Sequence, residues 1–290
     1  MNRYNVLYLR VNLIFLFLNT MKKHLKKLHH FYHKFVIGLV FLFIYPFVLF
    51  FSRKPVNLDG MNAMRRILSM FSSAFSGIFF NFTYEKQIDW SKTYIICANH
   101  TSNLDISTII LLAKRNFVFL GKDELLDNLV TKIYFETIDI PINRESKMSS
   151  YRGFKRAEEY LKNRTHVVIF PEGLIANDYP PVLNPFKIGP FRLAIEQNIS
   201  ILPVTIGDNW KLMWDDGSRH GSKPGVSNIY VHEPVETLNL NINDADELRD
   251  HVYGLIKAKL TGNQKSIGQI INLTEEIPKK EIIADLNPLL

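Results

Sequence analysis

Short apolar runs alternate with longer amphipathic segments through most of the chain after about residue 83. Runs rich in β-branched and aromatic residues predict six strands, over residues 93–98, 117–121, 137–142, 166–170, 200–206 and 226–232. Helical spacing of apolar positions predicts helices between and after them, over 103–114, 122–135, 149–162, 188–198 and 245–260. The strand candidates are almost continuously apolar, as expected for a sheet that is covered on both faces and hence largely parallel. The pattern predicts an α/β fold with a mostly parallel sheet flanked by helices.

The first 82 residues follow a different pattern. Residues 35–51 are uncharged and almost wholly apolar, which is close to the length of about 20 residues that a membrane-spanning helix needs. A second apolar stretch, 67–82, contains Ser and Gly, and we expect it to pack beside the first or to lie in the membrane interface. Together the two stretches predict an N-terminal membrane-embedded or re-entrant helical hairpin. The alternative is a buried N-terminal helix of a soluble core.

The formal net charge of +7 comes from the N-terminus. Residues 1–54 contain nine of the 35 Lys and Arg residues and no Asp or Glu, which leaves 26 basic against 28 acidic residues in the remainder. A basic segment beside apolar stretches suits an anionic lipid surface, whereas the near-neutral remainder gives no indication of nucleic-acid binding. The single cysteine, Cys97, cannot form an internal disulfide and fits a reducing compartment.

These patterns divide the chain into three parts. We expect a basic N-terminal region with membrane-associated helices (1–82), an α/β domain (83–262) and a peripheral C-terminal tail (263–290). Neither an internal repeat nor a low-complexity segment interrupts this order. Translation from Met1 and translation from Met21 both fit the pattern.

Two loops that follow predicted strands carry residue types suited to chemistry. One is "VVIFPEG" (167–173), and the other is "NHTSNLD" (99–105), in which His100 lies between a strand and a helix. A neutral imidazole there can take a proton from an alcohol, and Asp105 is within reach to hold the required tautomer. The structural alternative for Asp105 is a capping box with Ser102. A zinc site is disfavoured, because no further His or Cys lies nearby at the usual ligand spacing.

Four ordered blocks of the sequence resemble those of the glycerolipid acyltransferase family. "NHTSNLD" is similar to the family's N-H-x4-D signature, and the other similarities follow in the expected order. They are the arginine block "IPINRES", the tetrapeptide "FPEG" with its companion "FKIG" (186–189), and "ILPV" (201–204) with Pro203. The resemblance covers about residues 80–235. It implies a glycerophosphate acyltransferase-like α/β fold for this part of the chain.

The resemblance also implies an activity. An enzyme of this family transfers a fatty acyl group from a thioester donor to the sn-2 hydroxyl of 1-acylglycerol-3-phosphate, giving phosphatidate in phospholipid biosynthesis. The implied co-substrate is acyl-CoA or acyl carrier protein, with no cofactor and no metal. The implied partners are this donor, the lysophosphatidate acceptor and a lipid membrane, with the α/β domain on the cytoplasmic face. Two alternatives stay open, which are O-acylation of another lysolipid such as a lyso-aminolipid, and a non-catalytic membrane lipid-binding protein.

By the same resemblance, individual residues take on roles. His100 is the general base and Asp105 is the carboxylate that orients it, while Arg144 in "IPINRES" receives the phosphate of the acceptor. Glu172 is expected to hydrogen-bond a glycerol hydroxyl. Gly173 is expected to let the backbone approach the substrate closely.

The chain departs from the family pattern directly after "FPEG". The family usually has Thr or Ser and often Arg at these positions, whereas this chain has Leu174 and Ile175. A hydroxyl or cationic contact from these two positions is therefore absent. We expect Lys187 in "FKIG" to supply the positive charge, and the departure gives weight to the lyso-aminolipid alternative.

Overall fold

A computed structural model describes residues 3–175 and 177–262, with side-chain environments from residue 14 onward. The tail that we expect at 263–290 lies outside the described residues. Within them, one mixed sheet contains seven strands, β1 (Ile78–Tyr84), β2 (Ile95–Ala98), β3 (Phe117–Lys122), β4 (Ile140–Ile142), β5 (His166–Ile169), β6 (Ile201–Ile206) and β7 (Gly225–Val231). Their order is β1-β7-β6-β2-β5-β3-β4. Every neighbouring pair is parallel except β6 and β7, which confirms the predicted mostly parallel sheet.

Helices cover both faces of this sheet. Those in the described residues are α1 (Arg3–Ser52), α2 (Leu58–Phe75), α3 (Leu104–Leu112), α4 (Lys132–Thr137), α5 (Lys147–Lys162), α6 (Gly189–Gln197), α7 (Asn209–Leu212) and α8 (Ala245–Leu260). Alternate residues of the central strand β2 enter two different apolar cores. Ile95 and Cys97 pack in the core that includes α5, α6 and α8, whereas Ile96 packs in the core that includes α3. The continuous apolar runs are thus explained by burial on both faces.

Strand β1 corrects the prediction for residues 67–82. The last part of that stretch is an edge strand paired in parallel with β7, and it is not part of a membrane segment. Ile78 is buried and Phe79 is exposed, in the alternation of a strand with one covered face. No local sequence signal marks this strand, because its pairing partner is remote along the chain. Asn81 in β1 lies opposite Asn228 in β7, 147 positions later. The strand crosses the boundary that we expected between residues 82 and 83.

The predicted helix over 122–135 is also corrected. Residues Asp123–Asp127 form a 3₁₀ turn, and α4 begins only at Lys132. Asn128 separates them, because its side-chain oxygen accepts hydrogen bonds from the backbone N–H groups of Val130 and Thr131. Such local side-chain bonds compete with helical ones. Helix α4 then continues to Thr137, so β4 is shorter than the strand predicted over 137–142.

The helices α1 and α2 are antiparallel and form a helical hairpin at the N-terminus, as predicted, while its placement in a membrane stays a prediction. The hydroxyl of Tyr32 in α1 donates to the carbonyl of Phe75 at the end of α2, at 3.0 Å, while Phe51 near the end of α1 lies against Gly60 near the start of α2. Residues Ile14–Ser52 of α1 are long and apolar enough to cross a membrane, by length and composition. Many large apolar side chains on α1 are exposed, so this helix is a candidate membrane span.

The second helix of the hairpin is attached to the α/β body by buried polar contacts. The guanidinium of Arg65 in α2 pairs with the carboxylate of Asp139 at 3.0 Å, and both side chains are almost fully buried. Asp139 also accepts the backbone N–H of Phe119 in β3 at 2.8 Å. The guanidinium lies 3.9 Å from the ring centre of Phe117. Removing either charge would leave the other buried without its partner, which is strongly destabilising.

Candidate active site

His100 lies in the turn between β2 and α3, beyond the carboxyl end of its strand. Its Nδ1 is 2.9 Å from Oδ2 of Asp105, and 16% of the His100 side chain is exposed. The imidazole stacks on Phe170, with ring centres 4.1 Å apart. A carboxylate only accepts hydrogen bonds, so in neutral His100 Nδ1 carries the proton and Nε2 has the free lone pair. No described residue hydrogen-bonds Nε2, which leaves that nitrogen available to an incoming group.

Asp105 is fully buried and holds the turn together. Its Oδ2 accepts the backbone N–H groups of Thr101 at 2.7 Å and of Ser102 at 2.9 Å, in addition to the imidazole. The Ser102 contact is one half of the predicted capping box, and it occurs together with the His–Asp pair. The other half differs, because the N-cap residue of α3 is Asn103 and the Ser102 hydroxyl accepts the backbone N–H of Leu104 at 3.1 Å. Its Oδ1 accepts from the side-chain amide of Asn209, in α7, at 2.7 Å. The same amide donates to the hydroxyl of Thr108 at 2.8 Å.

Glu172 lies behind His100 and is almost fully buried. One carboxylate oxygen accepts the backbone N–H of His100 at 2.7 Å, and the other accepts the backbone and side-chain N–H groups of Asn184, both at 2.8 Å. Burial raises the pKa of Glu172 above its ordinary value, and these hydrogen bonds oppose the rise. The geometry favours a role in positioning the His100 turn. It gives no support to the expected contact between Glu172 and a glycerol hydroxyl.

Gly173 is required by the backbone at this point. Its φ of +77° lies in the left-handed region, and a Cβ there would meet Cε of Lys187 at 2.9 Å. The Lys187 side chain therefore passes directly over Gly173. The backbone N–H of Lys187 donates to the carbonyl of Pro171 at 2.9 Å, which ties the "FKIG" segment to the "FPEG" turn. Lys187 thus occupies the space beside Gly173, and the expected close approach of this backbone to the substrate stays a prediction.

Three basic side chains lie near one another at this edge, and we call Lys122, Arg144 and Lys187 the cationic group. The pKa of Lys187 is lowered from its ordinary value, first by partial loss of hydration and then by the positive charges of Arg144 and Lys122. Loss of hydration also lowers the pKa of Arg144, which the carboxylates of Glu124 and Asp123 oppose. An anion that binds among these positive charges is stabilised, because it relieves their mutual repulsion. Sequence reasoning identified Arg144 and Lys187 but missed Lys122.

All these residues belong to one edge of the sheet. The neighbouring strands β2, β5, β3 and β4 are parallel, so their carboxyl ends meet there. The His–Asp pair follows β2, the "FPEG" turn follows β5, Lys122 ends β3, and Arg144 follows β4. Strands lie about 4.8 Å apart, so the ends of β2 and β4, which precede His100 and Arg144, are three spacings or roughly 14 Å apart along the edge. Across the described residues, no cluster of three His, Cys, Asp or Glu is suited to hold a metal ion.

This arrangement defines a class of protein. It is an α/β domain in which a His–Asp pair, of the kind that general-base enzymes use, lies at the carboxyl edge of parallel strands beside a cationic group. Residues 79–207 match the family model described as Acyltransferase. The match covers less than half of the chain, and it assigns an acyltransferase domain to these residues.

Two curated relatives are both 1-acyl-sn-glycerol-3-phosphate acyltransferases. The chain is 28% identical over 174 residues to a 1-acyl-sn-glycerol-3-phosphate acyltransferase of Chlamydomonas reinhardtii, covering 59% of this chain and 51% of that protein. It is 26% identical over 211 residues to a chloroplastic 1-acyl-sn-glycerol-3-phosphate acyltransferase of Arabidopsis thaliana, covering 72% of this chain and 49% of that protein. The chain thus spans about half the length of these two relatives.

A solved structure shares the fold. The crystal structure of the 1-acyl-sn-glycerophosphate acyltransferase PlsC from Thermotoga maritima matches with a TM-score of 0.66 at 21% identity. The match covers 83% of this chain and 98% of that one. The predicted fold class is therefore confirmed, and the family match over residues 79–207 bears out the resemblance in that part of the chain. The roles of the individual site residues remain predictions.

Proposed function

We propose that the protein transfers a fatty acyl group from a thioester donor to the sn-2 hydroxyl of 1-acylglycerol-3-phosphate, giving phosphatidate. The observation that carries the proposal is the His100–Asp105 pair, with Nε2 of His100 free, on the same sheet edge as the cationic group. The names of the relatives support this acceptor. The thioester itself supplies the acyl group, so the reaction requires no resident cofactor.

In this reaction His100 acts as the general base. Nε2 takes the proton of the acceptor hydroxyl as its oxygen attacks the thioester carbonyl, and Nδ1–H continues to donate to Asp105, which stabilises the imidazolium. The C–O bond forms and the C–S bond breaks, and the departing thiolate takes the proton from Nε2. The products are the ester and a free thiol. No covalent acyl-enzyme is needed, because the two substrates react directly.

The cationic group binds the phosphate of the acceptor. Arg144 offers two parallel N–H donors, and Lys122 and Lys187 add positive charge at the ends of neighbouring strands. Lys187 lies over Gly173, which directly precedes Leu174 and Ile175 in the sequence. It therefore takes the place of the cationic contact that the family usually has after "FPEG". The phosphate end of the acceptor would then extend along the sheet edge while its free hydroxyl reaches His100.

A second candidate differs only in the acceptor. Leu174 is half exposed beside the site, so an apolar side chain stands where the family usually has a polar one. This favours a lysolipid with a less charged headgroup, such as a lyso-aminolipid. In the third candidate, a non-catalytic lipid-binding protein, Asp105 would only hold the turn together, and the free Nε2 of His100 would have no role.

We further propose that the N-terminal hairpin holds the domain at a membrane, on the cytoplasmic face. Acceptor and product are lipids, and α1 exposes apolar side chains on a helix long enough to span a bilayer. Acyl-CoA and acyl carrier protein are both cytoplasmic donors. Protease protection in sealed inverted vesicles tests the orientation, because a cytoplasmic domain in such vesicles is cleaved without detergent.

An acceptor panel tests the function. The purified full chain is given lysophosphatidate, lysophosphatidylcholine or a lyso-aminolipid, each with acyl-CoA and with acyl carrier protein, and thiol release is measured. The proposal expects lysophosphatidate to give the highest kcat/KM with at least one donor. A higher value for the lyso-aminolipid would favour the second candidate. Absence of acceptor-dependent thiol release with all six pairs would favour the non-catalytic candidate.

A further inference from the structure

A basic cleft separates the N-terminal helix from the segment that follows α7, and no residue of the His100 turn lines it. Its volume is about 660 Å³, and residues of α1 form one wall while residues 219–224 form the other. Five of the lining side chains are Lys or Arg, two are His and none is Asp or Glu. The five are Lys22, Lys23, Lys26, Arg219 and Lys223.

None of these five cations forms an ion pair with an acidic side chain in the part of the chain that the structure describes. Lys22 and Lys26 are four residues apart and therefore share one face of α1. Five positive charges around one concave surface repel one another, and a concave wall of one sign concentrates the opposite charge from solution. The cleft is therefore suited to attract an anion.

The walls of the cleft are held together by specific contacts. The backbone N–H of Ser222 donates to the carbonyl of Lys26 at 2.9 Å. Gly221 has a φ of +72°, and a Cβ at that position would lie 2.5 Å from the backbone carbon of Lys26. Only glycine permits this approach. His29 joins the two walls further, with Nδ1 2.7 Å from the Ser222 hydroxyl and Nε2 2.9 Å from the carbonyl of Ser76.

The cleft also has a defined position relative to the apolar part of α1. Lys26 precedes the apolar run that begins at Phe35 by nine residues, or roughly 14 Å of helix. If that run enters a bilayer, the cleft lies at the depth of the lipid headgroups. The segment that forms its second wall begins just after Asp215, whose backbone pairs with Thr101 and Asn103 of the His100 turn. The two sites are therefore neighbours with separate linings.

We propose that this cleft binds the phosphate group of an anionic glycerolipid, as a second site distinct from the cationic group at the sheet edge. A phosphate with a charge of −1 or −2 matches the excess of positive side chains, and basic pockets beside membrane helices suit such headgroups. Inorganic phosphate offers the same chemistry without the glycerolipid. This inference does not rest on acyl transfer, and its test does not measure it.

The test measures the thermal unfolding midpoint of the purified full chain in a neutral detergent. The probes are dihexanoyl-phosphatidylglycerol, the phosphate-free dihexanoylglycerol, and inorganic phosphate. At about 100 times the dissociation constant, a ligand that binds only the folded protein raises Tm by roughly 4 °C for a chain of this size. We expect that rise with the phospholipid and none with dihexanoylglycerol. An equal rise with inorganic phosphate at the same concentration would identify the phosphate alone as the ligand.

Matched variants locate the binding. The cleft variant Lys22→Gln/Lys26→Gln/Lys223→Gln should lose the rise. A control variant with the same charge change at exposed lysines elsewhere should keep it, namely Lys114→Gln/Lys147→Gln/Lys257→Gln. The milder pair Lys22→Gln/Lys23→Gln, whose side chains are both exposed, replaces the triple variant if that variant fails to fold, and it should reduce the rise.

A further variant separates the two phosphate sites. Arg144→Ala should keep the rise if the phospholipid binds in the cleft. The proposal is overturned if no probe raises the unfolding midpoint of the wild-type chain, or if the folded cleft variant keeps the rise in midpoint. It is also overturned if the control variant loses the rise equally, or if Arg144→Ala alone abolishes the rise.

Discussion

Two histidines at opposite edges of the sheet show how position decides chemistry. His100 follows β2 at the carboxyl edge, while His166 begins β5 at the amino edge. Each imidazole stacks on an aromatic ring, His100 on Phe170 and His166 on Tyr94. Only His100 has a carboxylate on Nδ1 and an exposed edge. His166 is fully buried, and its Nδ1 accepts the backbone N–H of Tyr94 at 3.0 Å.

The difference separates a residue suited to proton transfer from one that only packs. His166 must remain neutral to accept that hydrogen bond, and burial, assisted by the positive charges of Arg115 and Arg66, lowers its pKa to about 4. His100 has the opposite arrangement, in which a donor points into a carboxylate and the second nitrogen is free. In this sheet the amino edge is packed for stability, and the carboxyl edge carries the side chains available to a ligand.

The largest expected effect comes from His100→Ala. Removing a positioned general base should lower kcat for acyl transfer by about 10² to 10⁴-fold. The unfolding midpoint should change little, because the imidazole makes only one side-chain hydrogen bond and is partly exposed. Steady-state thiol release and a thermal scan on the same preparation check both parts. Turnover within a few-fold of wild type would remove His100 from the mechanism.

Asp105→Asn should lower kcat by about 10²-fold or more, because an amide nitrogen cannot accept the imidazole N–H and the tautomer is no longer fixed. It should also cost stability of about 1–3 kcal/mol, since the backbone N–H groups of Thr101 and Ser102 share the replaced acceptor. The structure thus predicts a combined effect. Kinetics and urea unfolding separate the two parts, and a destabilised but fully active variant would leave Asp105 with the capping role alone.

Arg144→Ala should act on binding and leave the chemical step nearly intact. Loss of charge-assisted hydrogen bonds to phosphate should raise KM for lysophosphatidate by about 10-fold. Arg144→Lys should recover part of the loss, since a point charge does not reproduce two parallel donors. The control is an acceptor without phosphate, whose slow acylation should not change. Equal losses for both acceptors would assign Arg144 to the donor or to the fold.

The smallest effect on activity is expected at the other edge. His166→Gln should keep kcat at pH 7 within about twofold. The stability of the wild type should be full above pH 6.5 and should fall as the pH drops towards 4, because the unfolded imidazole takes up a proton that the folded one resists. A difference between 6.5 and about 4 corresponds to roughly 3 kcal/mol.

The comparison of urea unfolding at pH 7 and pH 4.5 checks this assignment. The variant should lose less stability than the wild type between the two pH values. A residual loss should remain, because burial lowers the pKa of His232 to about 4 as well. An unchanged pH dependence in His166→Gln would show that other groups control the acid sensitivity.

The sequence was most informative where one short segment contains the whole signal. Each central strand is a continuous apolar run, and His100 and Asp105 lie within one turn, so both were found. Strand β1 was missed because its pairing partner β7 is remote in sequence and its residues are apolar enough for a membrane segment. Asn209, Asn184 and Lys122 were missed for a similar reason. Each is an ordinary polar residue whose role depends on elements that only the folded chain brings together.

The direct test of the account is the molar ratio of thiol released to phosphatidate formed. The purified full chain is incubated with lysophosphatidate and an acyl thioester, thiol is titrated, and phosphatidate is quantified by mass spectrometry. The account predicts a ratio of about one, because each proton that His100 removes from the acceptor hydroxyl leaves with one thiol and yields one ester. Thiol release without phosphatidate, or no release above the uncatalysed rate, would contradict acyl transfer to lysophosphatidate.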